Sequence, residues 1–524
     1  MNFGVLASIL LWFIGTILIA FGCLFLCFML YLHYVHKQNA HLPGPPRSSF
    51  IFGNLADFWK YKKATGKTLA EYSLEKRLEY GPIFLITYFH RCVVYLADPN
   101  YIREVFINNH KYVCKAPFVY HKFGFIFGQR GIGYGIVTNV DDLSWRKKRH
   151  IMNPAFHRKC LKDFMTNFND VSDRFLIRMG KVADGGKPVS MVQEFAKVTL
   201  EAISQVSFNI NTSAIEDPES PFPSAIRNYF EGAQANFDIP LNSVFMSIFQ
   251  FKLFQTDSQR VQINAAQFLR KFASDCITTR MQDIAENKDV PNDLLNLLIN
   301  DGSLTREEII DEFITIFIAG QETTANSLAF TLYEILRNPH VEAKLLNEIK
   351  EVLGERQEVK FDDLAKLKYM GQVLEESLRK HPIAIAPTRI LGKEIMVGGY
   401  RIPKGNGIGS SPLYFAMNPE IWKDPKVFDP ERFADAGNIP NLSMIHFPFS
   451  IGPRNCIGQT FAKFESKVIL AKLFQHFQFK LLPDQTDRML GRITMTPRDG
   501  VMCEVSRCTG LYDVFGYYCA NMGY

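Results

Sequence analysis

The feature that most restricts the fold of this chain is an uncharged, apolar run near its N-terminus, from Phe3 to Leu32. As an α-helix with a rise of ~1.5 Å per residue, this run would be about 45 Å long, which exceeds the ~30 Å hydrocarbon core of a bilayer. A cleaved signal peptide has a shorter apolar region, and a mitochondrial presequence is amphipathic and rich in arginine. We therefore predict a membrane anchor over residues 1–36 rather than a buried core helix.

The residues that follow the run set the orientation of the predicted anchor. His33, His36 and Lys37 are basic, and the positive-inside rule places such a flank in the cytosol. Three prolines follow within Leu42–Arg47, and prolines do not continue a helix. We expect a stiff, extended strap over residues 37–50. The endoplasmic reticulum is the expected membrane, with a single span and the remainder of the chain on the cytosolic side.

Composition bounds the class of the remaining chain. The 524 residues are 47% hydrophobic, which is enough to bury a large core, and no mid-chain stretch has the composition of a linker. The net charge of +6 is small and its basic residues are interspersed with acidic ones, which argues against nucleic-acid binding. Ten cysteines in a long chain without a CxxC pair do not indicate a disulfide framework. We expect one large domain over residues 51–506 and a tail of unknown role over residues 507–524.

The body of the chain has mainly helical patterns with a smaller β region, which predicts a mainly α, α+β fold. Two β-rich runs at 83–88 and 93–96 flank His90-Arg91 and predict a hairpin. Residues 111–135 combine aromatic residues with glycines and predict a long irregular loop. This loop is interpreted either as a lid over an apolar pocket or as plain core packing. Residues 422–433 mix turn formers with aromatics and predict an ordered loop.

A long helix is predicted to begin at Thr305, where Thr305 and Glu308 match a capping box, and to end before Pro339. Its apolar residues lie nearly all round, so the helix should cross the interior of the protein. The segment Ala319–Asn326 places a glycine and several polar side chains in the middle of this helix. Either the helix opens locally beside a reaction site, or the polar side chains bond to neighbouring helices.

A single cysteine carries the strongest chemical signal in the sequence. Gly452 lies four residues before Cys456 and Gly458 lies two residues after it, so the backbone can turn tightly around the sulfur. From Ile457 onward the pattern is helical, and the amides and dipole of a helix N-terminus favour a thiolate. Arg454 adds positive charge and a fork for carboxylates. For a cysteine considered on its own, a buried structural role is the alternative.

The complete pattern Phe-x-x-Gly-x-Arg-x-Cys-x-Gly, from Phe449 to Gly458, resembles the haem loop of the cytochromes P450. The resemblance extends from the strap to about residue 506. It implies the P450 fold, haem b with Cys456 as the iron ligand, and a haem-thiolate monooxygenase that uses O2 and electrons from NADPH. In such sites the thiolate pushes electron density toward bound oxygen and favours O–O cleavage.

The resemblance also implies roles for residues around the cofactor. Phe449 would pack on the sulfur side of the haem, and Arg454 would pair with a haem propionate. The other cofactor-binding residues that the resemblance implies are Trp145, Arg149, Arg389, Gly452 and Gly458.

Two further groups of residues match the family pattern. The residues that match its oxygen-activation segment are Ala319, Gly320, Glu322 and Thr323. Of these, Glu322 and Thr323 would relay protons through water. Glu376 and Arg379 match a structural pair with Arg432 as its third member, although their spacing alone is most often that of a surface pair.

Electrons must come from a partner protein, since the sequence contains no flavin or dinucleotide motif. An anchor of the endoplasmic-reticulum type implies NADPH–cytochrome P450 reductase as the donor, with cytochrome b5 as a second candidate partner. Arg146, Lys147 and Lys148 are candidates for a basic docking face, and equally for a solvated helix face.

Within the superfamily the chain resembles the cholesterol 24-hydroxylase family, in the stretches Val189–Met191, Phe317–Thr323 and Phe447–Gly452. The implied substrate is a lipophilic small molecule, a sterol, and the apolar segment Val244–Phe249 is expected to dip into the bilayer. In the stretch Lys380–Ile383 the sequence differs from the one that is more common in the family. A fatty-acid hydroxylase, a haem-thiolate isomerase and a non-enzymatic haem sensor are the alternatives.

Overall fold

The computed structural model describes residues 3–238, 255–384, 387–491 and 493–508. It is about 59% helical with several small sheets, which confirms the mainly α, α+β prediction. The chain divides into two compact units, one of residues 1–114 and 386–414 and the other of residues 115–385 and 415–524. The boundaries predicted at residues 36, 50 and 506 stay predictions.

The helices and strands of the described residues are numbered in chain order. The α-helices are α1 (Phe3–Gln38), α2 (Leu55–Thr65), α3 (Leu69–Tyr80), α4 (Pro99–Arg103), α5 (Pro117–Gly124), α6 (Asp142–Met152), α7 (Arg158–Asp163), α8 (Met165–Gly185), α9 (Met191–Phe208), α10 (Pro221–Asp238), α11 (Asp257–Ala285), α12 (Leu294–Asn300), α13 (Arg306–Arg337), α14 (Pro339–Leu353), α15 (Asp363–Lys366), α16 (Lys368–Lys380), α17 (Leu413–Ala416), α18 (Leu442–Ile445) and α19 (Gln459–His476). The strands are β1 (Ile83–Tyr88), β2 (Arg91–Leu96), β3 (Val113–Lys115), β4 (Phe125–Ile126), β5 (Gln129–Arg130), β6 (Val189–Ser190), β7 (Thr388–Leu391), β8 (Ile395–Val397), β9 (Tyr400–Ile402), β10 (Gly407–Gly409), β11 (Phe477–Leu481), β12 (Met489–Gly491), β13 (Met495–Pro497) and β14 (Met502–Arg507).

The first unit contains the largest sheet, with strand order β1-β2-β10-β7-β3. β1 and β2 are antiparallel, with Ile83 opposite Leu96 and Tyr88 opposite Arg91. This confirms the predicted hairpin, except that its second strand begins two residues earlier than expected. β10 runs parallel to β2 and antiparallel to β7.

The proline strap lies against the first strand of this sheet. Residues 43–47 form neither helix nor strand, and the backbone amide of Leu85 donates to the carbonyl of Pro43 at 2.7 Å. A side chain at Gly44 would collide with the sheet, because its Cβ would lie 2.3 Å from the carbonyl oxygen of Leu85. Asn54 donates through Nδ2 to the carbonyl of Pro46 at 3.0 Å and accepts from the amide of Thr87 through Oδ1 at 3.0 Å. Asn54 thus fixes the strap to the sheet edge.

Helix α1 has the length and composition of a membrane span. Within its segment Leu11–Gln38, an 18-residue window has a mean hydropathy of 2.6, and none of this window is buried. An unpaired apolar surface of this size needs an apolar environment. The helix fits the predicted membrane anchor and continues to Gln38, two residues beyond the predicted boundary.

The second unit is built around α13, which packs most extensively against α9. The hydroxyl of Thr305 accepts from the amide of Glu308 at 3.3 Å, and Glu308 Oε2 accepts from the amide of Thr305 at 2.9 Å. This confirms the predicted capping box. The helix continues to Arg337, directly before the asparagine that caps it and Pro339 beyond, as predicted.

The prediction of a long irregular loop over residues 111–135 is wrong. The segment contains β3, the eight-residue helix α5 and the β4-β5 hairpin. Proline at the first position of α5 suits a helix start, because its missing amide would have no partner there. The hydroxyl of Tyr229 donates to the carbonyl of Phe123 at 2.7 Å and accepts from the amide of Ile132 at 3.0 Å. Phe123 of this segment packs on the rings of Tyr229 and Phe230, and Phe127 is buried, so these aromatic residues belong to the core.

Buried acids at the start of α13 fix the backbone of residues 130–136. The fully buried carboxylate of Asp311 accepts from the guanidinium of Arg130, at 2.7 Å for the shorter contact, and from the amide of Tyr134 at 2.9 Å. The neighbouring carboxylate of Glu312 accepts from the amide of Ile136 at 2.8 Å. A Cβ on Gly133 would lie 2.3 Å from Asp311 Oδ2, so glycine permits this close approach.

The structure corrects the prediction of a three-residue docking face on α6. Lys148 is 1% exposed, and its ammonium lies 3.1 Å from Glu312 and donates to the carbonyl of Tyr134 at 2.9 Å. A cation in this position satisfies a buried acid and is not available to a partner protein. Arg146 and Lys147 are exposed, and Arg146 pairs with Asp142 at 2.6 Å.

Glu376 and Arg379 of α16 form a buried ion pair rather than the surface pair that their spacing suggests. Their side chains are 0% and 1% exposed, and Arg379 Nε donates to Glu376 Oε2 at 2.6 Å. Arg432 Nε donates to Glu376 Oε1 at 3.4 Å, so the third residue of the expected group lies beside the pair. The amide of Asp429 also donates to Glu376, at 3.0 Å. The pair therefore connects α16 to the segment before α18.

The predicted ordered loop over residues 422–433 packs against the same pair. Trp422 is buried, and its ring lies 5.7 Å from the ring of Phe433. The guanidinium of Arg379 donates to the carbonyl of Pro425 at 2.8 Å. The loop ends in a 3-10 helix, Pro430–Phe433.

Stability should depend on pH through Glu312. Burial raises the pKa of its carboxyl to about 7 from 4.5, although Lys148 and the amide of Ile136 act in the opposite direction. A raised pKa means that the native state binds the proton more tightly than the unfolded state. The stabilisation is complete below pH 4.5 and is lost as the pH rises through 7. Relative to Glu312→Gln, the wild-type free energy of unfolding should fall by about 3 kcal/mol between pH 4.5 and pH 8, measured by urea unfolding.

The matched control for this experiment is Glu308→Gln, one turn earlier on α13. The capping contacts of Glu308 with Thr305, together with Lys148, lower the pKa of its carboxyl against the effect of burial. Wild type should therefore gain stability over Glu308→Gln as the pH rises, the opposite slope. If the difference in the free energy of unfolding between wild type and Glu312→Gln does not change with pH, the raised pKa of Glu312 is contradicted.

Candidate active site

Cys456 is held at the end of a tight loop, three residues before α19. Its amide donates to the carbonyl of Phe449 at 2.9 Å, which closes the loop. Ser450 and Gly452 both have positive φ, at 64° and 74°, and glycine adopts this conformation without strain. Gly458 is the N-cap of the helix with a φ of −87°, so it is not needed for a left-handed turn. A Cβ on Gly458 would lie 3.9 Å from the sulfur, so glycine keeps this side of Cys456 open.

The surroundings of Cys456 desolvate it although its side chain is exposed. The residue has substantial accessible surface, yet burial raises the pKa of its thiol. A side chain that is accessible and yet desolvated by the protein atoms around it is typical of the wall of an interior space. The amide of Gly458 and the charge of Arg149 lower the pKa without outweighing burial. The helix N-terminus thus acts in the predicted direction, through the amide of Gly458, and the contribution expected from Arg454 stays a prediction.

Arg149 of α6 fixes the residue that precedes the cysteine. Its guanidinium donates to the carbonyl of Asn455 at 2.8 Å and to Asn455 Oδ1 at 3.2 Å, and its Nε donates to Asn153 Oδ1 at 2.8 Å. The backbone that carries the sulfur is thus bound to α6 as well as to its own loop. Asn455 has no sequence signal beyond its place beside the cysteine.

Arg454 and Trp145 lie together. The guanidinium of Arg454 lies 3.9 Å from the centre of the Trp145 ring and donates to the carbonyl of Asn139 at 2.9 Å. It also donates to Asp142 Oδ1 at 3.2 Å. Arg454 is only 9% exposed as a side chain, so the stacking and these bonds define its orientation. The structure thus places Trp145 against Arg454 and binds Arg149 to the residue before Cys456, and their shared role in holding a cofactor stays a prediction.

Phe449 lies between the loop and a small apolar cluster. It is half-buried and packs against the cluster of Phe330, Leu378 and Ile383, and its ring lies 5.6 Å from the ammonium of Lys463. The loop that carries the sulfur thereby contacts residues of α13 and α16. Its proposed position on the sulfur side of a haem stays a prediction.

Arg389 belongs to the first compact unit. It lies on β7, opposite Ile408 of β10, and is buried. Its guanidinium lies 5.8 Å from the centre of the Phe106 ring and donates to the carbonyl of Thr388 at 3.1 Å. Its role in holding a cofactor stays a prediction.

The middle of α13 is a continuous helix, so the local opening considered for Ala319–Asn326 is not present. The hydroxyl of Thr323 donates to the carbonyl of Ala319 at 2.8 Å, and the hydroxyl of Thr199 donates to the carbonyl of Gln321 at 3.0 Å. Side-chain donors thus add to the helix bonds without breaking the helix. Gly320 is explained by packing, because its Cβ would lie 2.6 Å from Cγ1 of Ile203 on α9.

Glu322 is oriented by two residues that the sequence did not single out as site residues. Its Oε1 accepts from the hydroxyl of Thr494 and from Nδ2 of Asn326, both at 3.3 Å. Asn326 is in turn held by the hydroxyl of Thr496 on β13 at 3.0 Å. This arrangement connects the acid of the long helix to the β12-β13 hairpin. Asn326 lies in the polar segment Ala319–Asn326, so the sequence could have indicated it as a site residue. Thr494 is part of no sequence pattern that would indicate a site.

The donor set fits a haem better than a metal held by protein alone. Among the described residues no group of three or more His, Cys, Asp or Glu side chains is placed to hold a metal ion. A single sulfur beside an interior space suits a metal whose other ligands come from a macrocycle. Two arginines beside the sulfur suit the carboxylates that haem carries. Cys456 would hold the iron, and Arg149, Arg454 and Trp145 would lie near the propionates.

Comparisons with known proteins agree with this geometry. The family model described as Cytochrome P450 matches residues 43–503. Cytochrome P450 3A9 of Rattus norvegicus is 27% identical over 473 residues, which cover 86% of this chain and 89% of that protein. Cytochrome P450 4d2 of Drosophila melanogaster is 28% identical over 488 residues, which cover 89% of this chain and 93% of that protein. These relatives do not carry the name of a cholesterol 24-hydroxylase.

Replacing Arg149 should weaken cofactor retention. Arg149→Leu removes two charged hydrogen bonds to Asn455, each of about 1.5–3 kcal/mol, and frees the backbone before Cys456. We expect haem to transfer to excess apomyoglobin at least tenfold faster than from wild type, measured by absorbance. Arg146→Leu, which removes an exposed arginine of the same helix, should transfer haem at the wild-type rate. Equal rates for both variants would show that Arg149 does not restrain the loop.

Proposed function

The chain belongs to the cytochrome P450 family, and from this premise we propose a membrane-anchored haem-thiolate monooxygenase that hydroxylates a sterol. The enzyme class follows from the family. The sterol, the redox partners and the membrane are the parts that we propose. The observation that carries the proposal is the position of Cys456, whose side chain is exposed and whose loop is fixed by the carbonyl of Phe449 and, through Asn455, by Arg149.

Haem b bound through a thiolate supplies the binding and reductive cleavage of O2. The residues of this chain have three tasks around it. Cys456 would hold the iron through its sulfur, and Arg149 and Arg454 would be the charge partners of the propionates. Glu322 and Thr323 hold and move protons at Oε1 and Oγ1, and Thr494 and Asn326 orient the carboxylate of Glu322.

The reaction takes electrons from NADPH through a redox partner, and we propose NADPH–cytochrome P450 reductase as that partner, with cytochrome b5 as an accessory donor. Arg146 and Lys147 support this proposal because both are exposed cations on α6, the helix that also carries Arg149. Lys148 is excluded by its burial beside Glu312. The basic flank of α1 supports a cytosolic catalytic domain on the endoplasmic reticulum.

The sterol proposal rests on the stretches Phe317–Thr323 and Phe447–Gly452, which resemble cholesterol 24-hydroxylases. The departure at Lys380–Ile383 has a structural use, since Lys380 and His381 both lie within 2.9 Å of the buried carboxylate of Glu334. These residues stabilise the end of α16, so their unusual identity does not require an unusual substrate wall. The apolar segment Val244–Phe249, expected to enter the bilayer, lies outside the described residues.

The iron ligand is tested by replacing Cys456. In Cys456→Ala, the reduced and carbon monoxide-treated protein should lack the red-shifted Soret band of a sulfur-ligated haem, because the remaining side chains offer no thiolate at this position. Cys503→Ala, which removes a buried thiol of β14, should retain the band. A band that persists in Cys456→Ala would refute the proposed ligand.

The proton relay is tested by coupling. Thr323→Ala should increase by about tenfold the NADPH consumed per molecule of product, since the hydroxyl is lost while the haem site is intact. Thr494→Val should give a smaller rise, because Glu322 keeps its contact with Asn326. Thr331→Val, which changes a hydroxyl two turns further along α13 bonded to Ser327, is the control. Unchanged coupling in Thr323→Ala would overturn the relay.

The substrate class is tested by a binding screen with cholesterol and with a long-chain fatty acid, read from the haem spin state, followed by product identification with reductase and NADPH. A hydroxylated sterol is the expected product. A hydroxylated fatty acid would replace the sterol proposal, and a rearranged product formed without NADPH would indicate an isomerase. Absence of any NADPH-dependent product would favour a haem sensor.

A further inference from the structure

A cleft in the second unit is lined by none of the residues proposed for catalysis. Its volume is about 110 Å³, and it opens to the surface on one side. Its walls come from the segment between α6 and α7, the end of α9, the beginning of α12 and the first turn of α19. The side chains that make it apolar are Phe156, Phe164, Val206, Leu297 and Phe461.

The cleft contains one hydroxyl without a hydrogen-bond partner. Ser207 of α9 lines the cleft and is 4% exposed, and among the described residues its side chain has no hydrogen bond. Ser204 of the same helix, one turn earlier, donates to the carbonyl of Leu200 at 2.6 Å. A buried hydroxyl in a helix ordinarily bonds back in this way. The free hydroxyl of Ser207 is therefore an unused polar group within an apolar cleft.

The other polar groups of the cleft are already engaged or lie at its rim. The carboxylate of Asp293 accepts from the guanidinium of Arg280 at 2.8 Å through each oxygen, and from the amide of Asn296 at 2.9 Å. Asn292 is exposed. Cys160 is a half-buried thiol, which makes it a reporter of whether the cleft is filled.

We propose that this cleft binds a small monocyclic aromatic molecule with a single hydroxyl group, of the class of phenol. Its ring would pack against Phe156 and Phe461, which contact each other edge to face with ring centres 6.4 Å apart, and its hydroxyl would bond to Ser207. The cleft, at about 110 Å³, is smaller than the apolar cavity of about 150 Å³ that encloses benzene, so part of the ring would project through its open side. The ligand would contact Phe461, the third residue of the helix that follows Cys456.

The experiment measures alkylation of Cys160 by a maleimide in the full-length holoenzyme, by mass spectrometry of the labelled peptide. Phenol should slow the labelling of Cys160 at least fivefold at saturation and leave the half-buried Cys114, in the other unit, unchanged. Toluene, which has the same ring without the hydroxyl, should protect Cys160 with about fivefold lower affinity than phenol. The readout does not use catalysis, so it is independent of the proposed function.

Two serine variants distinguish a built site from simple apolar partition. Ser207→Ala should weaken phenol about fivefold and leave toluene unchanged, so that the two ligands become equal. Ser204→Ala, with its partnered hydroxyl outside the cleft, should behave as wild type. The proposal is overturned if neither ligand protects Cys160, because the cleft would then hold only water. It is also overturned if Cys114 is protected equally, or if phenol and toluene are already equal in wild type.

Discussion

The position of one sulfur atom depends on how the loop before α19 is closed. The bond from the amide of Cys456 to the carbonyl of Phe449 forms the loop, and Arg149 attaches the preceding residue to α6. A loop with two consecutive restraints of this kind loses little freedom when a metal binds, because most of the ordering entropy is lost on folding. Trp145 of α6 stacks on Arg454, and Phe449 of the loop packs against residues of α13 and α16. These contacts keep the geometry of the loop.

Local signals predicted much of the fold. The capping box at Thr305 and the proline at 339 set the ends of α13 correctly, because both act within a few residues of the chain. The hairpin at β1-β2 followed from β-rich runs around a polar turn. The loop predicted over residues 111–135 failed because glycine and aromatic content indicates an irregular chain. Gly131 and Gly133 instead permit close contacts with Tyr229 and Asp311, which lie far away in sequence.

The site residues also divide into those with a local sequence signal and those that only the packing of distant segments brings together. A motif that is continuous in sequence gave Cys456, Arg454 and the glycines around them, and the resemblance to the family gave Trp145 and Arg149. Thr494 and Thr496 were missed, since a single threonine in a short hairpin has no pattern, and only the packing of β13 brings them to Glu322 and Asn326. Lys148 was misjudged for the opposite reason. A run of three cations indicates a surface, whereas the buried acid that it faces lies on another helix.

The contact between Gly320 and Ile203 has a consequence for how this protein changes over evolution. Any side chain larger than hydrogen at position 320 would occupy the volume of the isoleucine on the facing helix. The two positions therefore share one fixed volume, and a gain at one is tolerated together with a loss at the other. A replacement that enlarges residue 320 therefore has to be paired with a smaller side chain at position 203.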